Sequence, residues 1–225
     1  MNAYIITLSK IASSYKSALR LQKELDQFNI KAELFEGSYG NEVYEKYNKL
    51  GRTHHNFTFK GPDVIISEEW KIKQTTPGII GCFDSHYRLW EKCVSLRQPI
   101  MIFEDDAQVI RGYNNVEFTD VLSIVFSHEK KMQNYLHLLE DPTGSPTALY
   151  YHPASMPGAA GYIIKPHAAK ILVDEFKNSF LPADNAIMRY LVDIKIHSYM
   201  MGKATDREKT RGKSSLIRTE YWNNL

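Results

Sequence analysis

Three adjacent carboxylates, Glu104, Asp105 and Asp106, follow directly on Ile100, Met101, Ile102 and Phe103 in the stretch PIMIFEDDA. Neighbouring like charges repel, and partial burial raises their pKa values unless a cation compensates. Carboxylate oxygens are hard donors that suit Mg²⁺ or Mn²⁺, ions that keep waters and share their other positions with a substrate's phosphates. If extended backbone persists to the end of the run, Glu104 and Asp106 share one side, as a metal pair for a diphosphate. Asp105 then faces the other side, toward sugar or ribose. The competing reading is an inert, solvated acidic turn, because EDD alone is a short motif.

The elements around it must place these groups. Four apolar residues without alternation suit a central strand covered on both faces, and ligands collect at the carboxyl ends of strands in open parallel sheets. AYIITL (3–8) reads as a strand. A helix follows, capped by Ser13 or Ser14, with Ala18, Leu21, Leu25 and Phe28 on one face and Asn29 at its end. KAELFE (31–36) completes a βαβ unit, which implies a parallel sheet with a right-handed crossover. The strongest helix is Pro77 to Leu96, with one apolar stripe of Ile79, Phe83, Tyr87, Trp90 and Val94 and a second of Cys82, His86, Leu89 and Cys93. An antiparallel return into the acidic strand brings the first turn of this helix, with its N–H groups, toward the carboxylates. Ser85 and His86 are its polar members, His86 also reading as a packed, hydrogen-bonded helix residue.

Between Gly37 and Gly78 periodicity is poor, and only Glu42 to Leu50 reads as helix, so a functional loop or lid is expected at about 37–78. Arg52, His54, His55, Lys60, Lys71 and Lys73 make it basic, with the two histidines expected at the surface. Beyond Ala107 the expectations are a helix over Glu117–Ser127, a strand over Tyr135–Leu139 and a turn-rich passage from Asp141 to Pro153. The small residues Gly158 to Gly161 allow close backbone approach. A strand over Tyr162–Ile164 and a helix over His167–Phe176 come next. In LPADNAI (181–187) Asp184 has the character of an N-cap, and a last strand over Lys195–Met200 carries His197, a candidate third metal ligand. The tail, 202–225, holds six basic against two acidic residues up to Arg218, a segment able to close over a diphosphate.

The 225 residues suffice for one sizeable core, and 43% hydrophobic with 24% charged residues is ordinary for a globular chain. A net charge of +2 argues against nucleic acid as partner. With no apolar run of roughly 18 residues and no leader-like N-terminus, no transmembrane segment is expected and the location expected is cytoplasmic; peripheral membrane contact stays open. Cys82 and Cys93, eleven residues apart on one helix, stand roughly 16 Å from each other, outside disulfide reach. No C-x-x-C or H-x-x-x-H spacing occurs, so no structural zinc site is expected.

Taken in order, GIIGCFDSHYRLWEKCV, IMIFEDDA, PGAAGYIIKPHAAKIL and LPADNAI, with the opening YIITL and the later LFEG, resemble glycosyltransferase family 25, which includes lipooligosaccharide and collagen galactosyltransferases. The resemblance implies a single GT-A-like α/β domain over 1–225, its mostly parallel Rossmann-like sheet flanked by helices. It also implies an inverting hexosyltransferase that uses a UDP-sugar, galactose or glucose most often, a divalent cation (Mn²⁺ or Mg²⁺) and a glycan, glycolipid or protein-linked acceptor. By motif, Glu104, Asp105 and Asp106 match the family's EDD, Gly81, Ser85 and His86 its helix block, Gly158 and Tyr162 its small-residue strand, and Asp184 its proline-then-aspartate block. Metal ligation then falls to the EDD residues with His197, donor binding to Ser85, His86, Gly158, Tyr162 and Asp105, and the acceptor-side base to Asp184 first and Asp84 second. Asp84 stands where the family has an apolar residue, and the family's serine-rich ending is only loosely echoed by Ser214, Ser215 and Ile217. A metal-dependent phosphoesterase or nucleotidyltransferase, and a non-catalytic nucleotide- or carbohydrate-binding module, are the alternative classes.

Overall fold

The computed structural model describes residues 1–55, 75–126, 146–148, 155–156, 158–197 and 200–204. Its first unit is the expected one: β1 (Asn2–Thr7), α1 (Ala12–Asp26) and β2 (Ala32–Glu36), with β1 and β2 parallel and Ile5 opposite Leu34. Ala18, Leu21 and Leu25 of α1 are buried against the sheet. The cap differs from expectation. Ile11 occupies the N-cap without a side-chain bond, while the Ser14 Oγ accepts the Leu8 N–H at 2.9 Å and ties down the β1–α1 turn. Asn29, at φ 59°, turns the chain out of α1 in a left-handed conformation that asparagine tolerates.

Part of the expected lid is ordered structure. α2 (Gly40–Lys49) buries Val43 and Tyr47, and β3 (Thr53–His54) pairs in parallel with β10 (Ser179–Phe180). This pairing overturns the surface placement of His55. Its ring is buried 4.9 Å from that of Phe176, with Nε2 2.9 Å from Glu175 Oε1. Lys60, Lys71 and Lys73 lie outside the described residues.

α3 (Pro77–Leu96) starts as its sequence dictates, with Pro77 in the first turn and the Thr76 Oγ1 accepting the Ile79 N–H. Both of its stripes contribute to the core: Phe83, Leu89, Trp90 and Cys93 are fully buried. β4 (Ile100–Glu104) follows and is covered on both faces, as a run without alternation requires.

The main sheet takes the order β2-β1-β4-β9-β6-β11-β8, with β6 at Val121–Ser123, β8 at Pro146–Ala148, β9 at Gly161–Ile164 and β11 at Ile194–His197. β2, β1, β4, β6 and β11 run one way; β9, between β4 and β6, and β8, at the edge, run the other. The sheet is therefore mostly parallel, compatible with the GT-A-like expectation. α2, α3, α4 (Pro166–Glu175) and α5 (Ala183–Ala186) cover one face and α1 the other. A small second sheet joins β5 (Ala107–Val109), β12 (Gly202–Ala204) and β7 (Val125–Phe126).

Several expectations change here. The expected helix over Glu117–Ser127 is not helix through its described part, 117–126, because Val121 and Leu122 sit fully buried between β9 and β11, where β-branched and apolar residues serve a ladder. The strand carrying His197 is described as Ile194–His197, and among the described residues the last strand is β12, so the start of the basic tail is paired structure. The expected strand at 135–139, the turn-rich passage before Ser155 apart from 146–148, and the tail from 205 lie outside the described residues. Among the described residues no helix is long and apolar enough to cross a membrane.

Candidate active site

The chain leaves β1 toward β2 on one side and returns to β4 on the other, so the order of the sheet reverses between β1 and β4. Open α/β sheets bind ligands beyond the carboxyl ends of strands at such a reversal. Register places the acids there: Ile6 stands opposite Glu104, and Thr7 opposite Glu36. Glu36 and Glu104 thus flank the end of β1, two strand spacings or about 10 Å apart.

β4 ends at Glu104, and Asp105 and Asp106 form the turn to β5. The alternation expected through the acids therefore stops, and the pairing of Glu104 with Asp106 on one side does not follow from strand geometry. α1 braces the turn. Arg20 Nη2 donates to the Ala107 carbonyl at 2.7 Å and reaches the Asp105 carbonyl at 3.4 Å, while Glu24 Oε2 accepts the Val109 N–H at 2.8 Å. These two α1 residues were not singled out by sequence; 85 positions separate Arg20 from Asp105, and nothing in its surroundings marks it.

Glu104 turns toward α3. Its Oε1 lies 3.4 Å from His86 Nε2 and 3.7 Å from Cys82 Sγ, in a group of three ligand-type atoms within 4.8 Å of one another. Behind His86, Trp90 Nε1–H donates to the Tyr162 hydroxyl at 2.9 Å, and that hydroxyl lies 2.9 Å from His86 Nδ1. An indole N–H can only donate. The Tyr162 proton is then available to His86 Nδ1, which leaves the His86 proton on Nε2, facing Glu104. Burial holds the Tyr162 phenol well above its ordinary pKa, so it stays protonated. Tyr162 and His86 are fully enclosed, and His86 meets Glu104 from within the core.

Ser85 is also structural. Its Oγ donates to the Gly81 carbonyl at 2.7 Å and accepts the Ser38 N–H at 2.8 Å, fastening the β2–α2 turn to α3. Asp84, 3% exposed, accepts from Ser38 Oγ at 2.5 Å and from the Tyr47 hydroxyl at 2.8 Å, with Lys46 Nζ 4.0 Å away. Next to these groups lies a cavity of about 580 Å³ whose walls include Lys10, Glu36, Tyr39, Lys46, Asp84 and Arg88. Burial would raise the Glu36 pKa, but hydrogen bonds from Tyr39 and Ser9 and the charge of Lys10 outweigh it and keep the carboxyl below its usual range. Arg88 Nη1 donates to the Glu36 carbonyl and to Ser38 Oγ, both at 3.1 Å. Sequence reading gave none of Ser38, Arg88 and Glu36 a role: Ser38 lies outside the recognised stretches, while Arg88 and Glu36 lie within GIIGCFDSHYRLWEKCV and LFEG at positions that no motif marked.

Two candidates stand apart. His197 is separated from β4 by β9 and β6; burial lowers its pKa, and its Nε2 donates to the Asn114 carbonyl at 2.8 Å, so it does not join the Glu104 group. Gly158, at φ 103°, takes a backbone conformation that favours glycine, and its N–H donates to the Met156 carbonyl. Asp184 is not a cap. Pro182 holds the N-cap of α5, and Asp184 sits half-buried in its first turn between the buried Ala183 and Ala186.

The sequence profile described as glycosyltransferase family 25 (LPS biosynthesis protein) matches residues 1–187. Two lipooligosaccharide biosynthesis proteins of Haemophilus influenzae are similar. lic2B is 34% identical over 116 residues, 51% of this chain and 36% of its own length. lex-1 is 30% identical over 138 residues, 53% of this chain and 45% of its own length. The match thus spans less than half the length of these relatives. The family profile covers the βαβ unit, α3, the acidic turn and the chain on to Asp184, and on that ground the chain belongs to glycosyltransferase family 25.

Proposed function

We propose that the chain transfers a hexose, galactose or glucose, from a UDP-sugar to a hydroxyl of a glycan, glycolipid or protein-linked acceptor, with inversion and with a divalent cation. The observation that carries this reading is the register that sets Glu36 and Glu104 on either side of the end of β1 at the reversal of the sheet, with Glu36 also lining a cavity of about 580 Å³. The two strand ends stand about 10 Å apart between backbones, a separation on the scale of a nucleoside diphosphate laid across the end of β1.

The acids fit Mn²⁺ or Mg²⁺ by donor chemistry, all of them hard oxygens on consecutive residues. Asp105 and Asp106, on the braced turn, would hold the ion, with Glu104 adjoining. When bound it neutralises charge developing on the departing diphosphate. Arg20 keeps the turn at the strand end. Glu36, ionised at neutral pH, accepts from the nucleoside, and Arg88 and Lys10 add positive charge along the cavity. Asp184 takes the proton from the acceptor hydroxyl. The two lipooligosaccharide relatives favour a bacterial glycolipid as acceptor.

A thermal-shift panel of UDP-sugars with and without Mn²⁺ tests the reading. At about 100 times Kd the correct donor raises Tm by about 5–10 °C, and Asp106→Asn abolishes the Mn²⁺-dependent part. Glycosylated acceptor is the product expected. Nucleotide cleavage without transfer, or no nucleotide binding, overturns the assignment.

A further inference from the structure

We infer that Cys82, His86 and Glu104 form a second cation site, of zinc class, between α3 and the end of β4. It differs in chemistry from the all-carboxylate turn beside it. The set offers a thiolate, an imidazole and a carboxylate, donors that select borderline ions such as Zn²⁺ or Co²⁺ over Mg²⁺ and Mn²⁺.

The spacing of these atoms suits an ion as well as the hydrogen bonds it now carries. The His86 Nε2 to Glu104 Oε1 contact, at 3.4 Å, is longer than the N–H···O optimum near about 2.9 Å, and Cys82 Sγ stands 3.7 Å from the same oxygen. Zinc binds nitrogen and oxygen at about 2.1 Å and sulfur at about 2.3 Å, so the edges of its tetrahedron are about 3.4 Å for N···O and about 3.6 Å for S···O. Two edges are therefore already present. Cys82 and His86 are four residues apart on α3, the spacing that stacks two ligands on one helix face. Neither C-x-x-C nor H-x-x-x-H spacing contains this mixed pair, whose third member comes from another element.

The surroundings complete the argument. His86 is fully buried, and its far nitrogen meets the Tyr162 hydroxyl at 2.9 Å, the kind of outer partner that ligating histidines have. A hydroxyl can donate to Nδ1 or accept from it. When Nε2 binds an ion, the imidazole proton moves to Nδ1 and Tyr162 turns to accept it, while the Cys82 proton goes to solvent. Cys82 and Glu104 are only half-buried, which leaves a fourth position open to water. The ion would pin α3 to the rim of the sheet through Glu104.

Titration of the metal-stripped full chain with Co²⁺, under reducing conditions and without nucleotide, tests this independently of the transferase reading. One equivalent should produce a thiolate-to-cobalt charge-transfer band with tetrahedral visible bands. Zn²⁺ should displace it, and Mn²⁺ or Mg²⁺ in excess should not. Cys82→Ser, folded by circular dichroism, should lose the charge-transfer band, and Asp106→Asn should keep it. A cobalt spectrum without thiolate character, a band that survives Cys82→Ser, or displacement by Mn²⁺ overturns the site. A thiolate band together with no UDP-sugar binding leaves this site standing and removes the transferase reading alone.

Discussion

Ser38 Oγ lies 2.5 Å from Asp84 Oδ2, so the turn after β2 and the middle of α3 are joined by a buried carboxylate. The Tyr47 hydroxyl from α2 closes the other oxygen at 2.8 Å. A carboxylate engaged from two sides by side chains of its own fold is a strut between α2 and α3, and on that ground the base proposed is Asp184 and not Asp84. Asp84→Ala leaves two buried hydroxyls without an acceptor, at about 1–3 kcal/mol each. The urea midpoint of Asp84→Ala should fall accordingly, and Asp84→Asn should fall less, because one acceptor oxygen survives. A base would behave in the opposite way, with Asp84→Asn losing turnover at unchanged stability.

Gly81 makes the same contact from the backbone. A Cβ there would stand 2.6 Å from the Ser38 carbonyl oxygen and 3.0 Å from Gly40 N and Cα, so α3 and the start of α2 touch at a point with no room for a methyl. In an exposed helix Gly→Ala stabilises by about 1 kcal/mol. Here the sign reverses: Gly81→Ala should destabilise by about 1–3 kcal/mol through overpacking, as read from chemical denaturation. A stabilised Gly81→Ala would mean that the crossing has slack.

What the sequence made legible follows from how locally each feature is encoded. The βαβ start, α3 and β4 carry their own periodicity, and α3 its own cap as well, and the structure has these elements where their patterns place them. β6 went unread because Val121 and Leu122 are strand only by virtue of partners on β9 and β11, distant in sequence. The site divides along the same line. EDD was readable as a cluster of charge, but the bracing of its turn by Arg20, the enclosure of Tyr162 behind His86, and the position of Glu36 opposite Thr7 arise from register, which single-sequence patterns do not contain.

Cys93 supplies a pH dependence. Burial pushes its thiol up to about 12 from an ordinary value of 9.0. Below pH 9 the thiol is protonated in both folded and unfolded chains and its contribution is intact. Between 9 and about 12 only the unfolded chain ionises, so stability declines with rising pH, by up to about 1.4 kcal/mol per pH unit for such a group. Burial raises the Tyr87 and Tyr162 phenols as well, in the same direction. Urea midpoints taken at intervals from pH 7 to 11 should stay level to about 9 and then drop, less steeply in Cys93→Ala. At neutral pH a thiol reagent should leave Cys93 unmodified in the native chain. Modification at the rate of the unfolded chain would refute its enclosure.

Asp184 carries the last prediction, because its position separates chemistry from binding. Ala183 and Ala186 sink into the apolar layer that α3 also covers, and between them Asp184 remains half-exposed on the α3 side of the sheet. Glu36, Arg88 and the acidic turn, to which nucleotide contacts are ascribed, lie on other elements. A base acts in the chemical step, where proton transfer contributes about 10²–10⁴-fold, while donor affinity rests on those other groups. Asp184→Asn should therefore lower kcat by at least about 100-fold, with the UDP-sugar-induced thermal shift and the donor KM close to those of the parent chain. Were the donor shift lost together with turnover, Asp184 would belong to the nucleotide site. With turnover intact, the proton must go to another group, and the assignment of the acceptor side to α5 fails.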